Sequence, residues 1–178
     1  MNRKVESQEF KRVLGRFVTG VTLVTYRHEG KPHGMTASAF TSVSLDPPLI
    51  LISVDKRAES HGRIPESRAF AVNILSESQE SIAIRFAGTH RTLADPFDGI
   101  PYTAGETGSP LLSGALGWLD CRLYAAHEGG DHTLYLGEVQ NLGVNSHETP
   151  LAFYAGSFRR LGEDRLGEVV WAWDVLQS

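Results

Sequence analysis

The chain has 178 residues, 41% of them hydrophobic and 21% charged, which fits one globular domain whose core needs no disulfide or structural metal. A formal charge of −4 argues against a general nucleic-acid binder, because phosphate contact needs a basic surface. The single cysteine, Cys121, excludes an internal disulfide framework, no apolar run is long enough for a transmembrane helix, and the start MNRKVESQEFKRV has no apolar stretch of the secretory kind, so a cytoplasmic protein is expected.

Phe10, Val13, Leu14 and Phe17 recur at helical spacing, with Ser7 placed to cap and Gly20 to follow the end, which predicts an N-terminal amphipathic helix. Val21–Tyr26 is rich in β-branched residues with alternating threonines and predicts a half-buried strand. His28 to Lys31 reads as a hairpin loop. Pro32 to Ser44 is small, polar and hydroxylated, Asp46-Pro47-Pro48 breaks it, and Leu49–Val54 returns as an apolar strand. Phe70–Leu75 predicts another strand, and Ser76 with Gln79 makes a capping box opening a helix through Ile82, Ala83 and Phe86. Residues 87–114, with Pro96, Pro101, Pro110, Gly105 and Gly108, read as a long loop. Ala115–Ala126 and His132–Val144 predict strands joined by a turn, and Leu151–Phe158 a last strand. Many short strands with few helices predict a mainly β barrel or sandwich.

Most chemical motifs are absent. There is no G-x-G dinucleotide fingerprint, no P-loop and no nucleophile elbow. The seven histidines never take metal-ligand spacing, so no metal site is expected. Cys121 lies in strand-like GWLDCRLY, where a buried structural thiol is expected rather than a nucleophile. Two segments remain. Gly34 to Ser44 is a run of small and hydroxylated residues whose backbone can approach a planar ligand closely, although the pattern alone suits a polar edge strand better. Gly129-Gly130-Asp131-His132-Thr133 sets a histidine beside a carboxylate after a glycine turn, although the pattern alone suits a plain hairpin with an exposed histidine.

From about Phe10 to Arg160 the chain resembles the short-chain flavin reductases of two-component flavin monooxygenases. The resemblance is carried by an ordered set: FVTGVTLVT, GMTASAFTSVSLDPP, LILISVDK, FAVNILSESQ, RFAG, GGDHTLYLGEV and PLAFYAGSFRRL. It implies a mainly β fold, the Greek-key FMN-binding split β-barrel with a few flanking helices, over residues 1–160. It also implies a homodimer, NADH or NADPH as hydride donor, FMN or FAD as acceptor, and a separate monooxygenase component as partner. Met35, Thr36, Ala37 and Ser38 then fall against the flavin ring. Ser53, Val54 and Asp55 fall at the strand end beside it. Ser60 falls near the phosphate, where Lys56 or Arg57 adds charge, and Phe86 and Ala87 fall beside the flavin tail. His132 falls at the nicotinamide, with Asp131 supporting it. Arg57-Ala58-Glu59 departs from the hydroxylated pattern of relatives. The tail at 161–178, with Trp171 and Trp173, lies outside the resemblance and is expected to pack on the barrel or on a partner subunit. Two other readings stay open: a split-barrel flavoprotein that keeps its flavin for another substrate, and a flavin-binding module without turnover.

Overall fold

The structure, a computed structural model, describes residues 5–89, 95–145 and 148–162. Its elements run α1 Ser7–Leu14, β1 Thr19–Gly20, β2 Thr22–His28, β3 Lys31–Ala37, β4 Phe40–Leu45, β5 Pro48–Asp55, α2 Glu59–Ser67 and β6 Ala69–Ile74. A 3₁₀ turn at Glu77–Gln79, α3 Glu80–Ile84 and a wider turn at Arg85–Thr89 follow. The remainder is β7 Tyr102–Ala104, β8 Pro110–Leu112, β9 Gly117–Gly129, β10 His132–Val144, β11 Ala152–Tyr154 and β12 Ser157–Arg159.

Seven strands pair antiparallel in the order β3-β2-β6-β9-β10-β5-β4. The two edges of that sheet, β3 and β4, are neighbours in sequence, joined by Ser38 and Ala39 alone. The sheet therefore curls until its edges approach, and side chains on its concave face close a core. Strand alternation selects them: Val24 and Tyr26 of β2, Ile50, Ile52 and Val54 of β5, Phe70 and Val72 of β6, Cys121 of β9 and Tyr135 of β10. Fully burying such a side chain contributes roughly 1.5–3 kcal/mol. The outer face of β2 and β6 is covered separately, where Val21, Leu23 and Leu75 meet Ala83, Phe86, Phe97, Ile100 and Leu112. The barrel expected from the resemblance is observed.

Local chemistry explains the turns. Glu29 and Gly30 both take positive φ, 50° and 75°, the twist a two-residue hairpin needs. Gly130 at φ 77° turns β9 into β10. The Ser76–Gln79 capping box forms as expected. Other expectations need correction. The first helix ends at Leu14, capped by Gly15, so Phe17 lies beyond it, and Ser7 is its first residue rather than its cap. Residues 87–114 are not all loop, since β7 and β8 form a short hairpin held to the barrel by Asn73, whose Oδ1 accepts from the Leu112 N–H at 2.8 Å. Leu151–Phe158 is two strands, not one, because Ala155 and Gly156 turn at φ 50° and 82°. Helix α2 was not expected at all, because Gly62 and Pro65 are weak helix formers. Residues 163–178, which carry Trp171 and Trp173, lie outside the described residues.

Curling a sheet this tightly demands close approach at one point. A Cβ on Gly137 would stand 2.6 Å from the Phe70 ring and 3.0 Å from the Cys121 Cβ. Gly137→Ala is expected to lower unfolding free energy by about 1–3 kcal/mol through overpacking, measured by urea denaturation.

Candidate active site

Two concavities flank the corner between β3 and β4. One is a cavity of about 280 Å³ lined by His33 to Thr36, Ala58 to Ser60, Arg85 to Gly88, Tyr26 and Pro96. The other is an apolar cleft of about 790 Å³, lined by Leu14, Phe17, Val18, Ser38 to Thr41, Leu51 and Ile74 among others. The small-residue run is thus divided. Met35 and Thr36 face the first space, Ser38 faces the second, and Ala37 between them is buried in the barrel core at 7% exposure.

The first cavity collects donors. Helix α2 starts at it with Ala58 as N-cap and no side chain closing the first turn, so main-chain N–H groups there remain available. Ser60 adds a hydroxyl on that turn, 5% exposed, which accepts a bond from Tyr26 at 3.0 Å. Arg85 lines the wall, and its guanidinium donates to the carbonyls of Pro96 at 3.3 Å and Asp98 at 2.8 Å. Among the described residues no carboxylate pairs with it. Phe86 closes the space, packed on Phe97 at 4.9 Å between ring centres. Gly34 lets it approach, since a Cβ there would meet the ring at 3.2 Å. Thr36 is committed elsewhere, its hydroxyl donating to the Ala83 carbonyl at 2.7 Å, which ties β3 to α3.

A second group of side chains lies along the outer face of β5. Leu51, Ser53 and Asp55 alternate with the inward Ile52 and Val54, and the register sets Ser53 opposite Leu134 and Asp55 opposite His132. The Ser53 N–H donates to the Ala39 carbonyl at 3.1 Å, fastening the corner. His132 donates from Nδ1 to Asp131 Oδ1 at 2.8 Å. That bond, then attraction to the histidine, holds the Asp131 carboxyl below its usual range. Asp55 is held lower still by the hydrogen bonds of Arg57. Burial, with Asp120 adding to it, pushes the Cys121 thiol up to about 12. Cys121 therefore carries no thiolate near neutral pH and takes no part in nucleophilic chemistry. Among the described residues no group of three His, Cys, Asp or Glu side chains is placed to hold a metal, and no helix is long and apolar enough to cross a membrane.

Residues 14–162 match the family described as the flavin reductase like domain. The chain belongs to that family. It is 44% identical over 158 residues to an NADH-dependent FAD reductase of Streptomyces globisporus, covering 88% of this chain and 86% of that one. It is 37% identical to HsaB, the reductase subunit of a flavin-dependent monooxygenase in Rhodococcus jostii, over 96% of this chain and 86% of that one. The NADH:FAD oxidoreductase SgcE6 of Streptomyces globisporus, solved in complex with NAD and FAD fragments, superposes with a TM-score of 0.83 at 41% identity, covering 92% of this chain and 99% of that one.

Set against what the flavin reductase resemblance implied, the structure brings Met35, Thr36, Ser60, Phe86 and Ala87 to one cavity. Ser38 lines the neighbouring cleft, while Ser53, Asp55 and His132 share the end of the β5–β10 ladder. Ala37, Ser53, Val54, Asp55 and His132 line neither space. Ala37 and Val54 face the core, so only their backbone can reach a ligand. Lys56 and Arg57 do not supply the free charge expected of them, because Lys56 pairs with Glu128 and Arg57 with Asp55. Arg85 stands in their place. It was within the RFAG segment, but only its two neighbours were singled out. His33 and Tyr26 were also missed, and no local pattern marks them.

Proposed function

We propose that this chain is a flavin reductase that takes hydride from NADH, passes it to FMN or FAD, and releases the reduced flavin to a separate monooxygenase. The convergence of Ser60, Arg85 and the open first turn of α2 on one cavity carries this reading, because those groups suit the phosphate of a flavin whose ring lies at the Met35–Ser38 corner. The residues present therefore fit the flavin. The flavin, when bound, accepts at N5 a hydride from the nicotinamide C4. The names of the Streptomyces and Rhodococcus relatives support NADH as donor and a monooxygenase as consumer. A buried, unpaired cysteine and the use of NADH favour the cytoplasm.

The chain's own part is positional. Backbone groups along Met35–Ser38 and the Ser53 hydroxyl serve the polar rim of the flavin ring, and Phe86 with Ala87 flank its tail. His132 seats the nicotinamide. Because its Nδ1–H is given to Asp131, the neutral ring offers Nε2 as an acceptor, which suits the carboxamide N–H of the nicotinamide. No side chain is required to move a proton in the hydride step. His132→Ala is expected to cut kcat/KM for NADH by roughly 2–13-fold, the equivalent of about 0.5–1.5 kcal/mol for a neutral hydrogen bond. Flavin affinity, measured by titration on the same variant, should barely change. Loss of flavin binding with an unchanged KM for NADH would move His132 to the flavin site.

The functional unit we propose is a homodimer. Helix α1 buries no side chain within its own chain, although Phe10, Val13 and Leu14 are apolar and more than half exposed. Phe17 and Val18 continue the patch at 75% and 52% exposure into the apolar cleft beside Ser38. A patch of that kind suits a second copy, which would also shield the flavin corner. Light scattering should give twice 19.5 kDa, and a 19.5 kDa particle with full activity would contradict the dimer.

A further inference from the structure

Tyr26 is the polar exception on the concave face of β2, 1% exposed and far from bulk water. Its hydroxyl leaves the core at the floor of the small cavity and donates to Ser60 Oγ at 3.0 Å. The Arg63 guanidinium lies close enough for its charge to act on the phenol. Arg63 is itself anchored, by Glu59 Oε1 at 2.5 Å and by His33 Nδ1 at 2.9 Å. Tyr26 has one proton, and the geometry gives it to Ser60. Burial, partly offset by Ser60 and Arg63, pushes the phenol pKa up, so that proton stays on Tyr26. The Ser60 oxygen is occupied from the core side, and its own proton is left to donate.

We propose that Tyr26 is a positioning residue for flavin binding: its hydroxyl holds Ser60 so that the serine proton points into the cavity, toward the phosphate of FMN or the first phosphate of FAD. This rests on the flavin reading of that cavity. The relay crosses 34 positions of sequence, from the second strand of the barrel to the first turn of α2. It makes a phenol buried in the barrel core a determinant of phosphate affinity. It predicts discrimination at one chemical group: riboflavin has the same ring and ribityl chain but no phosphate.

The test measures dissociation constants for FMN and riboflavin by quenching of flavin fluorescence, without nicotinamide, for the parent chain, Tyr26→Phe, Ser60→Ala and the double variant. Tyr26→Phe keeps the ring and so keeps the core filled. The expected result is a ratio of FMN to riboflavin affinity lowered by about three- to tenfold in each single variant, the scale of one hydrogen bond. The double variant should match Ser60→Ala, because Tyr26 acts through Ser60. Multiplying effects, or a Tyr26→Phe loss equal for both flavins, would overturn the relay while leaving the site in place. An unchanged ratio in Ser60→Ala would overturn the phosphate assignment itself.

Discussion

The structure depends on a sheet whose two edges meet without pairing. Seven strands curl around Ile52, Val54, Phe70 and Tyr135, and the last step of closure would require β3 to bond to β4. Those strands are consecutive, joined by Ser38 and Ala39, yet they do not pair with each other. The barrel stays split there. Register shifts between β9 and β10 at Leu136/Gly137 and Val139/Asn141, and between β4 and β5 at Ser42/Ser44, supply the extra bend. Edge main chain is ordinarily a liability, since unpaired N–H and C=O groups invite another strand. Here the open corner is short and flanked by two concavities, which makes it a place for a flat, hydrogen-bonding ligand rather than for another sheet.

Charge around the corner is arranged by pairing. Lys56 with Glu128, Arg57 with Asp55 and Arg63 with Glu59 each neutralise locally. Exposed pairs of this kind contribute only about 0–1 kcal/mol to stability, so their effect is mainly one of placement. They hold the 55–63 segment at the end of β5, while Arg85, bonded to the carbonyls of Pro96 and Asp98, lines the cavity. A net charge of −4 on the whole chain is therefore compatible with a locally positive site for an anionic cofactor.

Much of this was legible in the residues. Strands with branched apolar alternation, such as β2, β5 and β10, fell where periodicity put them, and the capping box at Ser76 formed as its spacing implied. Elements stabilised by tertiary contact did not show. Helix α2 carries Gly62 and Pro65, yet Ile64 is fully buried against the barrel, and that packing outweighs weak propensity. The hairpin of β7 and β8 depends on Asn73, whose Oδ1 fastens Leu112 from a distant strand. The site divides in the same way. Contiguous runs, Met35 to Ser38 and Asp131-His132, were visible as runs. Ala37 and Val54 were not recognisable as inward-facing, because a run does not state which face the pleat presents. The Tyr26–Ser60 bond joins residues that only the fold brings together, so no spacing rule reveals it.

As proposed, flavin is a passing substrate rather than a fixture. Steady-state NADH oxidation, followed at a fixed low protein concentration while FMN or FAD is increased far beyond the protein, distinguishes the two. A passing substrate gives a rate that rises with added flavin to saturation, with many flavins reduced per chain. Full activity with one flavin per chain and no response to more would mean a flavoprotein that keeps its cofactor, and no NADH consumption at any flavin concentration would mean a binding module without turnover.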